Sequence, residues 1–183
     1  MKLIAQIVGF FAVAIFLLSY QQKERKRIIG YNVVSRVLYI AQYLLLGAYE
    51  GAVLDVLGAV SSVVATKKDT PFLKKHLKLA VIGMDLVIVG AGLALYESPL
   101  SLLPIAGVLL HTTAFWISDE RIIRWVSLLG SPFWFVYNFA SQAYGSSVGD
   151  LLTMVSIVVA MIKYRNIKTQ SANDRTVKEN SNV

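Results

Sequence analysis

The chain has 183 residues, of which 56% are hydrophobic, and it carries a formal net charge of +7 with a mean hydropathy of +0.59. A soluble domain of this length cannot bury so much apolar surface, so the composition excludes a water-soluble globular protein and indicates a membrane protein. The absence of cysteine excludes disulfides, a thiol nucleophile and a thiolate metal site. Because the basic residues lie between apolar segments and in the tail, we expect no nucleic-acid partner. We also expect no cofactor.

Seven apolar stretches are long enough to cross or nearly cross a bilayer. In chain order they cover residues 3–20, 28–46, 51–66, 77–96, 100–117, 122–141 and 147–164. The charged run 23–27 follows the first stretch without a clear small-residue cleavage site, so we interpret this stretch as a retained helix rather than a signal peptide. The polar tail, residues 166–183, contains no aromatic residue and is expected to be a disordered cytoplasmic tail.

The distribution of basic residues predicts the orientation. Sixteen of the 18 lysines and arginines follow the first, third, fifth and seventh stretches, whereas Lys2 alone belongs to the opposite side and Arg36 lies inside a stretch. Cytoplasmic loops of membrane proteins carry the excess of lysine and arginine. Seven spans with the N-terminus outside and the C-terminus inside fit this rule, whereas six spans would place one basic cluster on the wrong side.

An internal repeat predicts the architecture. Residues 48–68 return as 143–163, with 11 identities in 21 ungapped positions at an offset of 95. A second offset of 98 aligns Gly9 with Gly107, so the first three stretches correspond to the last three. Because three is odd, a second copy enters the membrane in the same orientation only if one further helix precedes it.

The predicted fold is therefore an all-α integral membrane protein in which seven transmembrane helices form two parallel three-helix bundles joined by a linker helix (3+1+3). The expected parts are residues 1–68 for the first bundle, 69–98 for the loop and linker helix, and 99–165 for the second bundle. Parallel repeats about an axis normal to the membrane are typical of transporters with a site at the repeat interface.

Three ionisable residues are expected within the apolar layer. Arg36 lies in the middle of the second stretch, where a charge costs roughly 2.5–3.5 kcal/mol on insertion scales and therefore favours an interior partner. Asp85 and His111 lie at a similar depth, so we predict an Arg36–Asp85 pair with His111 nearby. The alternatives are that Arg36 extends to the cytoplasmic surface, or that the ion pair is purely structural.

The repeat also relates acids and aromatics. Asp55 and Asp150 occupy equivalent positions, and a large aromatic residue, Tyr39 or Trp134, lies 16 positions before each. Tyr43 corresponds in the same way to Asn138. Aromatic walls with a few convergent polar groups suit a small ligand, and the predicted substrate-binding residues are Tyr39, Trp134, Asp55, Asp150, Asn138 and Gln42. The alternative is that both acids merely cap the starts of their helices.

Three segments carry a resemblance to a known family. They are SYQQK at 19–23, LLGAYEGA at 45–52 and PFWFVYN at 132–138. Together they resemble the YgjV family of bacterial inner-membrane proteins, and the resemblance covers nearly the whole chain. It implies a multi-pass protein of the bacterial inner (plasma) membrane, and it implies no particular substrate.

A more distant resemblance connects the 3+1+3 plan to the SWEET sugar transporters and the PnuC-type vitamin transporters. In the sugar transporters each bundle supplies a tryptophan and an asparagine to a central pocket. By order and spacing, Trp134 matches that tryptophan and Tyr39 is its counterpart, while Asp55 and Asp150 match the asparagines. Acids in place of amides imply a cationic ligand or a proton rather than a neutral sugar.

These observations favour a small-solute transporter that works by alternating access, either facilitated or proton-coupled, with a small polar solute and the lipid bilayer as partners. The alternative is a membrane receptor or an assembly protein with the same fold. We expect no enzyme, because the sequence offers no nucleophile–base pair and no metal cluster. Assembly into a homo-oligomer is left open.

Overall fold

A computed structural model describes the backbone of residues 2–180 and the side chains of residues 2–163. All regular structure in this part of the chain is helical. The elements are α1 (Lys2–Tyr20), α2 (Arg25–Leu46), α3 (Tyr49–Thr66), α4 (Pro71–Lys75), α5 (Leu77–Ala94), a 3-10 turn (Pro99–Ser101), α6 (Leu102–Trp116), α7 (Glu120–Ala140) and α8 (Tyr144–Asn180). The seven predicted stretches correspond to α1, α2, α3, α5, α6, α7 and α8, and their starts and ends agree within a few residues except at the end of α8.

The turns that join α2 to α3 and α7 to α8 have the same construction. Gly47 ends α2 with a φ of 76°, in the left-handed region that glycine adopts without strain. Gln142, which lies 95 positions later, adopts a φ of 59° between α7 and α8. A left-handed glutamine is uncommon, so the second copy keeps the turn although it lacks the glycine.

Six segments are long and apolar enough to cross a membrane by length and composition. They are Lys2–Tyr20, Arg25–Leu46, Tyr49–Thr66, Leu77–Ala94, Pro99–Trp116 and Tyr144–Lys163. The 21-residue helix α7 is not among them, because charged residues occupy its first turns and Ser127, Ser131 and Asn138 lie inside it. The chain is therefore an all-helical integral membrane protein, and α7 combines spanning length with a polar interior face.

The long helices other than α5 pack as a closed ring. Each helix contacts its two neighbours in the order α1, α2, α3, α6, α7, α8 and back to α1. Helix α5 packs outside the ring against α3 and α6, and Ile88 and Gly92 are its only buried residues. The ring thus encloses a centre that α5 does not reach.

Helix α8 continues beyond the expected end of the seventh stretch, to Asn180. The structure describes no side chain beyond Lys163, and residues 181–183 lie outside the described residues. The disordered tail over 166–183 and the domain limits of the sequence analysis stay predictions.

Candidate central solute site

A small cavity lies at the centre of the ring. Nine described residues line it, with at least one from each ring helix and none from α5: Phe16, Arg36, Tyr39, Tyr43, Asp55, His111, Trp134, Asn138 and Asp150. Its volume is about 20 Å³, which is room for about one water molecule. Five of the six predicted substrate-binding residues therefore line one cavity, and Gln42 does not.

Arg36 of α2 is paired with a residue of α3, but not with the predicted residue. Its guanidinium forms an ion pair with the carboxylate of Asp55, and Nε donates to Asn32 Oδ1 at 2.9 Å. The prediction of an Arg36–Asp85 pair is therefore wrong. Asp85 belongs to α5, outside the ring, and its Oδ1 has no hydrogen-bond partner among the described residues. The alternative that Arg36 extends to the cytoplasmic surface is wrong as well, because only 3% of its side chain is exposed.

Asp150 has a weaker partner than Asp55. Asn138 Nδ2 donates to Asp150 Oδ2 at 2.9 Å, and Asn138 Oδ1 accepts from Tyr43 Oη at 2.8 Å. Within the described part of the chain, no basic side chain forms an ion pair with Asp150. The two repeat-related acids are therefore unlike, since one faces a guanidinium and the other an amide.

Neither acid caps a helix. Helix α3 begins at Tyr49 and α8 begins at Tyr144, so Asp55 and Asp150 lie in the second turn, and both side chains face the cavity. The capping interpretation is wrong because it placed the helix starts too late. The early starts at Tyr49 and Tyr144 lie at the Ala-Tyr pair that the repeat preserves.

Aromatic rings form much of the cavity wall. Tyr39 and Tyr43 are 6.3 Å apart with an interplanar angle of 24°, and Tyr43 and Trp134 are 6.2 Å apart at 19°. Phe16 closes this row edge-on against Tyr39 at 6.2 Å. The hydroxyl of Tyr39 is buried and has no hydrogen-bond partner among the described residues. Phe16 was missed by the sequence analysis, because one phenylalanine in an apolar helix carries no signal that distinguishes it from lipid-facing neighbours.

His111 lies beside Arg36 in the cavity wall, as predicted, but it does not hydrogen-bond to Arg36. Its Nε2 contacts the carbonyl oxygen of Ser127 at 2.9 Å, and its ring lies edge-on to Phe16 at 6.0 Å. This contact joins α6 to α7. His111 therefore acts on the site mainly as a wall and as a connection between two helices.

Gln42 contributes to the interface between the repeats instead of the cavity. Its Oε1 accepts from Ser146 Oγ at 2.7 Å, and the backbone N–H of Gly51 donates to Tyr137 Oη at 3.1 Å. Gly51 and Ser146 are 95 positions apart, as are Gln42 and Tyr137. The two hydrogen bonds are thus equivalent contacts, one at each side of the cavity. Applying the offset to Gln42 would have indicated Tyr137 as its counterpart.

Two glycines allow the key side chains to reach their positions. A Cβ at Gly107 would lie 2.6 Å from Trp134 Cδ1, and a Cβ at Gly58 would overlap the guanidinium of Arg36. Atoms at such separations cannot coexist without displacement. Both glycines therefore act as spaces that the larger side chains fill.

Comparison with known proteins fits this construction. The model of a family described as bacterial inner membrane protein, Imp-YgjV, matches residues 3–168. The chain belongs to the YgjV family. It is 24% identical over 154 residues to the inner membrane protein YgjV of Escherichia coli (strain K12), covering 82% of this chain and 80% of that protein. No solved structure matches the chain. The protein is therefore a bacterial inner-membrane protein, as the sequence resemblance implied.

In this member of the YgjV family a second, wider cavity opens at one end of the ring, which we call the acidic end. It has a volume of about 350 Å³ and is lined by the α2–α3 turn, the 3-10 turn and the end of α7. Glu50 and Glu97 line it, and among its described lining residues there is no lysine, arginine or histidine. Tyr137 also lines it, and the centroid of its aromatic ring lies 5.9 Å from that of Trp134. The side chain of Tyr137 therefore lies between the wide cavity and Trp134 of the central wall.

At the opposite end of the ring of helices, which we call the basic end, basic side chains donate hydrogen bonds to backbone carbonyl oxygens of neighbouring helices. Arg25 Nε donates to the carbonyl oxygens of Phe115 at 3.1 Å and Ile117 at 2.9 Å, and its Nη2 donates to that of Ala65 at 2.8 Å. Lys68 Nζ donates to Trp116 O at 2.9 Å. Burial lowers the pKa of Lys68, and Arg25 lowers it further. These contacts tie the first half of the chain to the end of α6.

Arg124 makes the reciprocal connection at the basic end. Its Nη2 donates to Gln22 O at 2.8 Å and its Nε donates to Tyr20 O at 3.3 Å, so α7 holds the end of α1. Carbonyl groups at a helix end have no partner within the helix, and an arginine fork satisfies several of them at once. The basic end is thus closed by hydrogen bonds that run in both directions between the two halves.

Proposed function

We propose that the protein is a small-solute transporter that works by alternating access, in which two three-helix bundles move against each other around the central cavity. The observation that carries the proposal is the cavity itself. It lies between the repeats, and buried residues line it, among them three ionisable side chains, those of Arg36, Asp55 and Asp150. Ionisable groups inside a membrane are costly, and they mark solute or ion pathways.

The proposal includes the seven-span 3+1+3 plan with the N-terminus outside. With α7 counted as a span the total is seven; its polar residues Ser127, Ser131 and Asn138 are buried and so do not face lipid. With the acidic end outside and the basic end in the cytoplasm, all four basic clusters follow the positive-inside rule. The plan is similar to that of the SWEET and PnuC-type transporters.

The contacts at the two ends support two alternately open states. Tyr137 contacts Trp134 of the cavity wall on the acidic side, and the bonds of Arg25 and Arg124 join the two halves of the chain at the basic end. A transporter with a closed central site must break one of these sets at a time. Transport by this device is facilitated, or it is coupled to protons if a buried acid takes up a proton in one of the states.

Disulfide locks test this proposal. Gln6 Oε1 accepts from the Gly145 N–H at 3.3 Å near the acidic end, and Gln21 Nε2 donates to Ser156 Oγ at 2.8 Å towards the basic end, and both contacts join α1 to α8. We would introduce Gln6→Cys with Gly145→Cys, and separately Gln21→Cys with Ser156→Cys. The chain contains no cysteine that could interfere.

Uptake of a metabolite mixture into proteoliposomes would then be measured by mass spectrometry before and after reduction. A transporter that alternates must lose uptake with either lock and recover it on reduction. If uptake is found and one lock leaves it unchanged, alternating access is wrong. If the unlocked protein takes up no solute but binds one, a receptor is favoured instead. No enzymatic reaction is proposed.

A further inference from the structure

We infer that the solute is a small ammonium-type cation whose charge is met by Asp150; this inference deepens the proposed function and rests on it. The first argument is charge. Two carboxylates, Asp55 and Asp150, face the cavity together with one guanidinium, that of Arg36. With both acids and Arg36 counted as ionised and His111 counted as neutral, the formal charge of the wall is one negative unit.

The excess charge belongs to Asp150. Arg36 is committed to Asp55 by the ion pair and to Asn32 by a hydrogen bond of 2.9 Å. Asp150 receives only the Asn138 amide, at 2.9 Å, and no ion pair from the described side chains. A carboxylate that is 6% exposed in such a place is stabilised by a positive ligand. An ammonium group supplies that charge together with N–H donors.

The remaining wall suits the body of such a ligand. Tyr39, Tyr43 and Trp134 form a row of nearly parallel rings, and Phe16 closes it. Aromatic rings attract ammonium groups through their negative faces, and tryptophan and tyrosine do so best. The Tyr39 hydroxyl, buried and without a partner in the described structure, offers one further acceptor for an N–H. A neutral sugar would leave the charge of Asp150 without compensation.

The route from the acidic end has the same sign. Glu50 and Glu97 line the wide cavity of about 350 Å³, and its described lining includes no basic residue. A cleft of one sign of charge raises the local concentration of ions of the opposite sign. A cation that enters there meets Tyr137 and then Trp134, which belongs to the central wall.

The closed cavity, about 20 Å³, accepts a body no larger than water or the ammonium ion itself. A methylated ammonium therefore binds only if the bundles part. A graded series of probes accordingly reports both the charge and the size that the site accepts. We would use ammonium, methylammonium, tetramethylammonium and choline, each as the chloride, against sodium chloride at equal ionic strength. The neutral carbon isostere of choline, 3,3-dimethylbutan-1-ol, is the matched control for charge.

The readout is the melting temperature of the purified, full-length protein in detergent, since a ligand that binds only the folded state raises it. At least one cation should raise the melting temperature saturably, and the isostere should not. Asp150→Asn should abolish the response, whereas Asp150→Glu should retain part of it. Asp69→Asn, which removes an exposed carboxylate near the basic end, should respond as the wild type does.

A second variant keeps the inference testable if Asp150→Asn does not fold. Tyr39→Phe should weaken the response to methylammonium several-fold and leave tetramethylammonium unchanged, because the latter has no N–H to donate. An equal loss for both probes would contradict the hydroxyl's proposed role in the site.

Three results would overturn the inference: no response to any probe, an equal response to the isostere, or a full response in Asp150→Asn. Stabilisation by acid alone, without any response to the probes, would assign Asp150 to a proton and also overturn it. If a cation binds but does not cross proteoliposomes, the inference stands and the proposed transport fails. If only neutral solutes are transported, the proposed transport stands and the inference of a cationic solute fails.

Discussion

Tyr43 and Asn138 lie at equivalent positions of the two repeats, 95 residues apart, and hydrogen-bond to each other at 2.8 Å. Two equivalent residues can touch only where the axis that relates the repeats passes between them. That axis therefore runs through the wall of the central cavity. Because Asn138 also donates to Asp150 at 2.9 Å, a contact on the axis is connected directly to one of the two acids.

Removing the Tyr43 hydroxyl should disturb this connection. In Tyr43→Phe the Asn138 Oδ1 loses its donor while it stays buried, so we expect the free energy of unfolding to fall by about 1–3 kcal/mol. Tyr49→Phe is the matched control, since 65% of Tyr49 is exposed, and it should change stability by less than about 0.5 kcal/mol. Unfolding titrations in mixed micelles measure both variants. Equal effects would contradict the role given to the axis contact.

The Arg36–Asp55 ion pair predicts strong coupling. Each single substitution, Arg36→Ala or Asp55→Ala, leaves a buried charge without its partner and should cost about 3–5 kcal/mol. The double variant should cost less than the sum by roughly 0.5–3 kcal/mol. The control cycle of Arg36→Ala with Asp85→Ala should be additive within about 0.5 kcal/mol. Coupling to Asp85 in place of Asp55 would show that the ion pair is misassigned.

Gly107→Ala should displace the indole of Trp134. The new Cβ would lie 2.6 Å from Trp134 Cδ1, and such overpacking costs about 1–3 kcal/mol. We expect loss of solute binding because the displaced indole enters the cavity. Gly83→Ala in α5 meets no atom within 4 Å and should instead stabilise the helix by about 1 kcal/mol. Ligand-induced shifts in melting temperature distinguish the two variants, and unchanged binding in Gly107→Ala would contradict the predicted displacement.

The two tryptophans of α7 provide a paired test of the site. Trp134 lines the cavity and is 6% exposed, whereas Trp125 on the same helix is 54% exposed and does not line it. Trp134→Ala should reduce uptake into proteoliposomes by tenfold or more, which corresponds to a loss of roughly 1.4 kcal/mol or more in binding free energy. Trp125→Ala should keep uptake within about twofold of the wild type. Folding would be checked by size-exclusion chromatography. A larger loss in Trp125→Ala than in Trp134→Ala would place the solute elsewhere.

Arg25 should be sensitive even to a conservative change. Its planar fork reaches carbonyls of both α3 and α6, and a lysine offers one nitrogen in their place. Arg25→Lys should therefore cost about 1–3 kcal/mol of stability through carbonyls left unsatisfied. Arg27→Lys alters an exposed pair with Glu24 at 3.3 Å, and such pairs contribute about 0–1 kcal/mol. Comparable losses in chemical denaturation of both variants would show that the Arg25 bonds contribute little.

The sequence predicted every long helix because apolar runs and polar breaks are one-dimensional signals. It missed the short helix Pro71–Lys75 and the turn Pro99–Ser101, which are too brief to show a period. It also grouped five residues that line one cavity in the structure, although their role in binding a substrate stays a prediction. The offset of 95 made this grouping possible, since it pairs equivalent positions of the two repeats.

The error over Asp85 has a physical cause. Position along a stretch gives the depth of a side chain, but it does not give the direction around the helix or the identity of the neighbouring helix. Asp85 and Asp55 are both within reach of Arg36 by depth, and only packing decides between α5 and α3. The prediction that Gln42 lines the cavity failed for the same reason. Gln42 is adjacent in sequence to Tyr43, which lines the cavity, but its side chain points in a different direction around the helix.

The position of α5 outside the ring of helices affects which net charge the central cavity can have. Two identical three-helix proteins around an axis would have to place the same residue at both related positions, so their shared cavity could carry only an even net charge. In this chain Arg36 has Ser131 as its counterpart, because α5 joins the halves covalently and frees each to differ. A cavity with one guanidinium and two carboxyl groups is an arrangement that two unequal halves can hold and two identical copies cannot.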